Sequence, residues 1–255
     1  AALRAVRKVL GASGYTAYEG ANTGGANGVY WLEVVSALPG GLVLVSNLTK
    51  GAKREVENVQ AAMEPDLIYP LLRGRDVGRW QATPQASILM VQDREKRQGY
   101  DEGWLAVTYP KTYTYLKQFK DVLAARQSQA VRRLTERGPF FSIFGVGDYT
   151  FAPYKVVWPW ISLSLVAGVV GDSGARAIVP EHNTSFVPFE RAQEAHFFCA
   201  CFNSGPANFC AISSYSGGGG GIASPKVVDR IRVPSFDDQH AVHVALSALS
   251  QQAHE

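Results

Sequence analysis

The chain has 255 residues, 46% of them hydrophobic and 18% charged, with a formal net charge of +3. That is enough to bury one large core or two modest ones, and far too little net charge for a histone-like tail. Any nucleic-acid footprint therefore has to come from local clustering.

The opening AALRAVRKVL is amphipathic and has neither the apolar stretch nor the cleavage site of a signal peptide. GYTAYEGANTGGANG, residues 14–28, is dominated by Gly, Asn, Thr and other small side chains and reads as a loop feeding a strand. VYWLEVVSALPGGLVLVSNL then predicts a hairpin around Pro39-Gly40-Gly41. Lys53 to Met63 fits a short helix with Val56, Val59 and Met63 on one face, and SILMVQD a largely apolar, central strand. Lys111 to Arg137 is the clearest helical stretch, with no Gly or Pro inside. Its seven positive and two negative side chains leave a local charge of +5, where a solvated face more often mixes both signs. Short aromatic and β-branched runs follow Phe140. A helix is expected after Pro188, a strand over VVDRIRVPSF, and a terminal helix opened by an Asp cap in DDQHAVHVALSALSQQAHE. No βαβ alternation is visible, so the fold class is α+β.

The longest apolar run, Val156 to Val170, is interrupted by Pro159 and is shorter than the roughly 20 residues of a membrane span. Cys199, Cys201 and Cys210 form no CxxC pair and leave an odd thiol if two bridge, which points to reduced, buried thiols and a cytoplasmic protein. The missing initial Met and the uncapped helical pattern at the end point to a piece of a longer protein.

Ile143-x-Gly145-x-Gly147 resembles the glycine loop that cradles S-adenosylmethionine. Such a loop links a strand to a helix and needs an acidic residue about 20 positions later. Here DYTFAPYKVVWPW follows, its prolines and aromatics forbid a helix, and the next acid, Asp172, falls in a Gly-Ser stretch. An amino-group methyltransferase also needs a Pro-Pro-aromatic loop, and the chain has no Pro-Pro pair. Gly145 and Gly147 are read as turn or bulge glycines, and no cofactor or metal is expected on this chain. His240-x-x-His243 lacks a third ligand and reads as surface histidines. Asp66, Asp93 and Lys96 are reminiscent of a metal-dependent nuclease but lack the acidic-x-Lys triplet. SGGGGG has no Lys-Ser/Thr after it and reads as a loop.

Five phrases in order, EGANTGGANGVYWLEV, DLIYPLLRGRDVGRW, YPKTYTYLKQFKDVLAAR, FFSIFGVGDYTFAPYKVVW and FNSGPANFCAISSYS...VVDRIRVPSF, resemble the C-terminal specificity region of bacterial N6-adenine DNA methyltransferases, including enzymes that fuse restriction and modification. The likeness runs from about Gly14 to the end. It implies a target recognition domain over 1–236, with a C-terminal helix over 237–255 continuing or packing on it. It further implies a twisted, irregular mixed or antiparallel sheet with flanking helices, like the recognition domains of type I restriction specificity subunits. Such a domain docks on double-stranded DNA and presents an adenine to an N-terminal methyltransferase catalytic domain, which flips it out and holds the S-adenosylmethionine. The five-glycine run at 217–221 is unusually long for this pattern. In this reading the chain is not itself catalytic and has no membrane partner. The alternatives are a stand-alone metal-dependent nuclease or hydrolase and a protein-interaction module.

Candidate DNA contacts follow. Arg73, Arg75 and Arg79 have forks suited to guanine or phosphate, unless they pair with Asp76 or Glu64. Asn22, Thr23 and Asn27 are short polar groups in the glycine-rich loop, and equally plain turn residues. Lys111, Lys117 and Arg126 would supply salt-sensitive affinity. Lys155 either snorkels from its aromatic surroundings or meets a phosphate or base, and Tyr149 precedes it. Tyr113, Tyr115, Trp158 and Trp160 are expected to be core or groove lining.

Overall fold

The computed structural model describes residues 2–171, 176–213 and 222–255, the side chains of 2–5 excepted. Asp172 and the glycine run 217–221 lie outside the described residues. In chain order the elements begin α1 (Ala2–Val9), β1 (Tyr18–Glu19), α2 (Asn27–Tyr30), β2 (Trp31–Ala37), β3 (Val43–Asn47), β4 (Gln60–Met63), β5 (Ile68–Leu72), β6 (Val77–Gly78), β7 (Gln81–Ala82), β8 (Ala86–Leu89), β9 (Gln92–Asp93) and β10 (Gln98–Gly99). They continue with α3 (Glu102–Thr108), α4 (Pro110–Gln118), α5 (Lys120–Ala124), α6 (Gln129–Thr135), β11 (Tyr154–Pro159), β12 (Gly168–Gly171), β13 (Val179–Pro180), β14 (Thr184–Phe189), α7 (Ala192–Phe202), α8 (Gly205–Ser213) and α9 (Ala241–His254). This is an α+β fold with antiparallel pairing in every register given below. No described helix is long and apolar enough to cross a membrane.

The chain forms two compact units from interleaved segments: unit I is Ala1–Gly20, Leu72–Pro84 and Tyr149–Glu255, and unit II is Ala21–Leu71 and Gln85–Asp148. In unit II the strands run β4-β3-β2-β8-β5. The β2–β3 hairpin turns through Gly40 and Gly41, both at φ 76, where only glycine avoids strain. β8 pairs on both sides, with β2 and β5, which explains the near-continuous apolar run around Ile88 and Leu89. α4 begins at Pro110, where the Glu64 carboxylate accepts from Lys111 N at 3.0 Å and Thr112 N at 2.9 Å. That satisfies two of the helix's orphan amides from the residue that follows β4. Tyr115 and Leu116 are buried beneath, and the Tyr115 hydroxyl donates to Val29 O at 2.6 Å.

Unit I holds the sheet β1-β14-β11-β12. α7, with Phe197, Phe198, Cys199 and Phe202 fully buried, packs against this sheet and against α9. A helix covered on two sides has no reason to be amphipathic, and its sequence AQEAHFFCACF is apolar nearly all round. Trp158 is fully buried, with its indole N–H donating to Ala223 O at 2.8 Å, a side-chain burial of about 1.5–3 kcal/mol. α9 lies on α7 through the Ser247 hydroxyl, which donates to Gln193 O at 2.8 Å. His254 accepts from Val169 N at 2.9 Å.

Several expected elements differ. Residues 53–59 are not helical, and β4 occupies Gln60–Met63, because pairing with β3 from Val43 to Ser46 outweighs a weak helical stripe. The long helix over 111–137 is three helices. Its apolar positions Tyr115, Phe119, Leu123 and Val131 remain buried while the backbone bends at Phe119 and again at Ala125. At the second bend Arg126 turns inward, its Nε donating to Leu123 O at 2.8 Å and closing α5 with a side chain. VVDRIRVPSF contributes only a single bridge, Leu10 to Ile231, after a 3-10 turn at Pro225–Asp229. α9 has no side-chain cap at His240, since Asp237 Oδ1 is engaged by Gln239 N at 2.9 Å. Helices α3 and α8 have no counterpart in the sequence reading.

Candidate nucleic-acid interface

Six of the eleven exposed cations of unit II lie on the segment 111–137, the others being Lys50, Lys53, Arg94, Lys96 and Arg97. Lys111, Lys117, Lys120, Arg132, Arg133 and Arg137 are all exposed, against the exposed acids Asp121 and Glu136. The division follows from the buried positions: once Tyr115, Leu116, Phe119, Leu123 and Val131 face inward, the intervening residues face water. Aromatic rings fix two of the ammonium groups. Lys117 Nζ lies 5.7 Å from the Tyr113 ring and Lys120 Nζ 5.3 Å from the Phe140 ring, while the Tyr113 hydroxyl donates to Glu102 at 2.7 Å. Cation–π contacts of this kind hold a lysine head in place without neutralising it.

Arg126 is not on this face. It is 2% exposed, and its Nη1 donates to Ser142 O at 2.8 Å and Thr23 O at 3.4 Å, its Nη2 to Phe140 O. The expected DNA contact at Arg126 is corrected on this ground: the guanidinium is spent on backbone carbonyls that a buried segment would otherwise leave bare.

Those carbonyls belong to the glycine-rich loop and to the segment after Gly138. Asn22 and Phe144 exchange both backbone hydrogen bonds, at 2.8 and 2.9 Å, and Asn22 Oδ1 accepts from Gly24 N at 2.9 Å. Gly24 and Gly25 are left-handed, at φ 68 and 85. Thr23 and Asn27 are buried, and Asn27 Oδ1 accepts from Lys53 N at 3.0 Å. Asn22 and Asn27 thus use side-chain acceptors to build the loop. A Cβ at position 25 would meet Lys53 Cδ at 3.5 Å and Arg54 Nε at 3.8 Å, so two further basic residues flank the loop tip. The sequence pattern places Lys53 and Arg54 in a short helix over 53–63 and gives no sign that they flank this loop.

In unit I the arginine cluster divides. Arg73 is 6% exposed and paired with Asp76, Nε to Oδ2 at 2.9 Å and Nη2 to Oδ1 at 3.3 Å. The Asp76 carboxylate also accepts from Arg73 N at 3.1 Å. Beside it, buried Glu181 accepts from Gly74 N at 3.0 Å, and burial pushes its carboxyl above the usual carboxylate range. Arg73 is therefore a structural pair, with Asp76 rather than Glu64. Arg75 keeps a 70% exposed side chain 3.9 Å from Asp76 Oδ1. Arg79, at the tip of the β6–β7 hairpin, is exposed and donates to Asn203 O.

Lys155 is 1% exposed and donates to Ala152 O at 2.7 Å. Both faces of β11 are covered, with every residue from Lys155 to Pro159 buried, so the ammonium turns back to a carbonyl just before the strand instead of reaching water. The expectation that it snorkels or meets DNA is corrected. Tyr149 is half-buried and stacks on Tyr18, with centroids 3.9 Å apart and planes within 7°. Tyr115 and Trp158 are core.

The other chemistries gain little. Gly145, at φ 77, leads into a 3-10 turn at Asp148–Phe151 and then a strand, not the helix a cofactor loop feeds. Asp93 Oδ1 accepts from Glu95 N and Lys96 N, each at 3.0 Å, which makes it the cap of a tight turn. The rings of His240 and His243 stack at 4.4 Å. Among the described residues no group of three or more His, Cys, Asp or Glu side chains could hold a metal ion. The cysteines are free thiols, and burial pushes that of Cys201 up to about 11.

No family model matches the chain. Over 142 residues, 56% of its length, it is 26% identical to the type II methyltransferase M.NspV of Nostoc sp. (strain ATCC 29411 / PCC 7524), and the match spans 28% of that protein.

Proposed function

We propose that this chain is a DNA target recognition module of an N6-adenine methyltransferase in a bacterial, cytoplasmic restriction-modification system, acting with a catalytic domain that binds S-adenosylmethionine. The observation that carries the proposal is the cationic segment 111–137, where six exposed Lys and Arg side chains outnumber two exposed acids and two of the lysines are held over rings. The partial likeness to a type II methyltransferase supports a restriction-modification setting, and the order of the five sequence phrases supports recognition rather than catalysis as this segment's share.

In this reading the cations of 111–137 hold duplex phosphates. Each phosphate neutralised releases condensed counterions, which gives affinity without sequence information. Outside that segment Asn22, Arg75, Arg79 and Tyr149 are the candidate contacts that retain access, and an exposed guanidinium such as Arg75 has the fork geometry for guanine O6 and N7. Thr23, Asn27, Arg73, Arg126 and Lys155 act inside, holding loops and strands in place.

Fluorescence anisotropy with a labelled duplex across a salt series tests this directly. Binding at low salt is expected, with a log–log slope of about −4 to −6 if most of the six cations meet phosphate. No retention of any duplex at low salt would overturn it.

A further inference from the structure

We infer that Phe144 is a wedge that inserts at a base step of bound duplex DNA; the inference rests on the DNA-recognition reading above. A single exposed aromatic is ordinary on a protein surface, so its setting has to carry the argument.

Phe144 is 41% exposed, yet it sits between Ile143, fully buried, and Val146, 3% exposed. Its backbone N–H and C=O are both bonded to Asn22, and Gln92 Nε2 donates to the preceding carbonyl, Ile143 O, at 2.6 Å. Gly145 supplies the left-handed turn, φ 77, that follows the ring. An apolar side chain is thus fixed outward by a backbone that cannot turn it in. A wedge needs that rigidity, because a mobile ring would fold back onto its own surface instead of separating base pairs.

The immediate surroundings suit a nucleic-acid backbone. From Asn22 the chain reaches Gly25 in three residues, at most about 11 Å. There Gly24 packs on Val131 and Arg126, and left-handed Gly25 carries no side chain of its own against Lys53 and Arg54. A phosphate held by this basic pair would place the adjoining base step within reach of Phe144. Aromatic and aliphatic wedges separate steps in this way elsewhere, offsetting lost base stacking with ring stacking and added contact.

The test needs no knowledge of the recognised sequence. A nicked plasmid is sealed by ligase with increasing amounts of the wild-type chain, then deproteinised and resolved into topoisomers. A wedge unwinds duplex, so the distribution should shift in proportion to protein bound. Phe144→Ala should abolish the shift and bind duplex about tenfold more weakly, a typical loss for one stacking side chain. Phe144→Leu should retain part of the shift, and thermal melts of both variants should match the wild type because the ring is exposed. Wild-type binding with no topoisomer shift, or an undiminished shift with Phe144→Ala, would overturn the wedge and leave the recognition reading standing. No wild-type binding to the plasmid at low salt would instead overturn the recognition reading and the wedge with it.

Discussion

Arg126 Nη1 donates to Ser142 O at 2.8 Å, joining the end of α5 to the segment that carries Phe144. The same guanidinium serves Leu123, Thr23 and Phe140, so one side chain satisfies acceptors from three stretches of unit II. Replacing it leaves buried carbonyls bare, each at about 1–3 kcal/mol. Arg126→Ala should destabilise the chain by about 3 kcal/mol or more, read as a lower urea midpoint. Arg126→Lys should recover only part of this, since one ammonium cannot span the fork's positions.

The exposed and buried cations should separate in binding. Lys117→Glu and Arg133→Glu are each expected to weaken duplex binding and to lower the magnitude of the salt slope by about one. Lys155→Met, at a 1% exposed position, should leave the slope unchanged. Anisotropy titrations at four or five salt concentrations compare all three, and a reduced slope for the Lys155 variant would return that residue to the interface.

Glu64 fastens β4 to α4, accepting from Lys111 N and from both the amide and hydroxyl of Thr112. Burial raises its carboxyl pKa, but those bonds outweigh it and the net shift is downward. The contribution is therefore present above the ordinary glutamate range and lost as pH falls through the depressed value. Glu64→Ala should cost about 1 kcal/mol, as for other lost helix caps. The deficit should shrink at acidic pH when the two proteins are unfolded in parallel.

His196 behaves oppositely in charge but alike in direction. Burial, then the proximity of His254, pushes its imidazole down to about 4, so it stays neutral in the folded chain. Stability is full above the unfolded value of about 6.5 and falls as pH drops from there toward 4. The group is only partly buried, so solvent screening limits the effect to about 1–2 kcal/mol. His196→Gln should flatten stability between pH 7.5 and 5, measured by denaturant titration; an unchanged pH slope would assign the acid sensitivity elsewhere.

Much of the fold was legible where local and tertiary signals agree. Pro39-Gly40-Gly41 lies between two β-rich runs and forms the predicted hairpin. Within FERAQEAHFFCACFNS, Ala192–Phe202 forms α7, and the fold class follows. Val56, Val59 and Met63 misled because their helical spacing is weak and β4 is fixed by its partner β3, information absent from a local window. α3 and α8 did leave signals: Asp101 Oδ1 accepts from Trp104 N at 2.8 Å, and Ser204 precedes Gly205-Pro206 at the start of α8, its hydroxyl accepting from Ala207 N at 3.3 Å. Aromatic and β-branched residues in both stretches obscured those starts.

The candidate contacts were legible by residue type and not by direction. Nothing in FAPYKVVW reveals that β11 is covered on both faces, with Val156 and Trp158 in one core cluster and Val157 in another, so the alternation that would expose Lys155 is overridden there. Arg126 sits amid cations and yet turns inward, because a helix end two residues earlier needs its donors. Phe144 passed as one of many aromatics, and only its two bonds to Asn22 set it apart.

The interleaving of the units decides what can be cut or exchanged. Unit II leaves and re-enters the sequence at 20/21, 71/72, 84/85 and 148/149. A terminal deletion that removes it also removes part of unit I. Transplanting the α4–α6 face with its glycine loop into another protein would take two insertions joined at four seams. A one-segment chimera would separate β8 from β2, β3, β4 and β5 and leave the edges it pairs exposed. Exchange by recombination would accordingly favour the whole interleaved block over any single stretch within it.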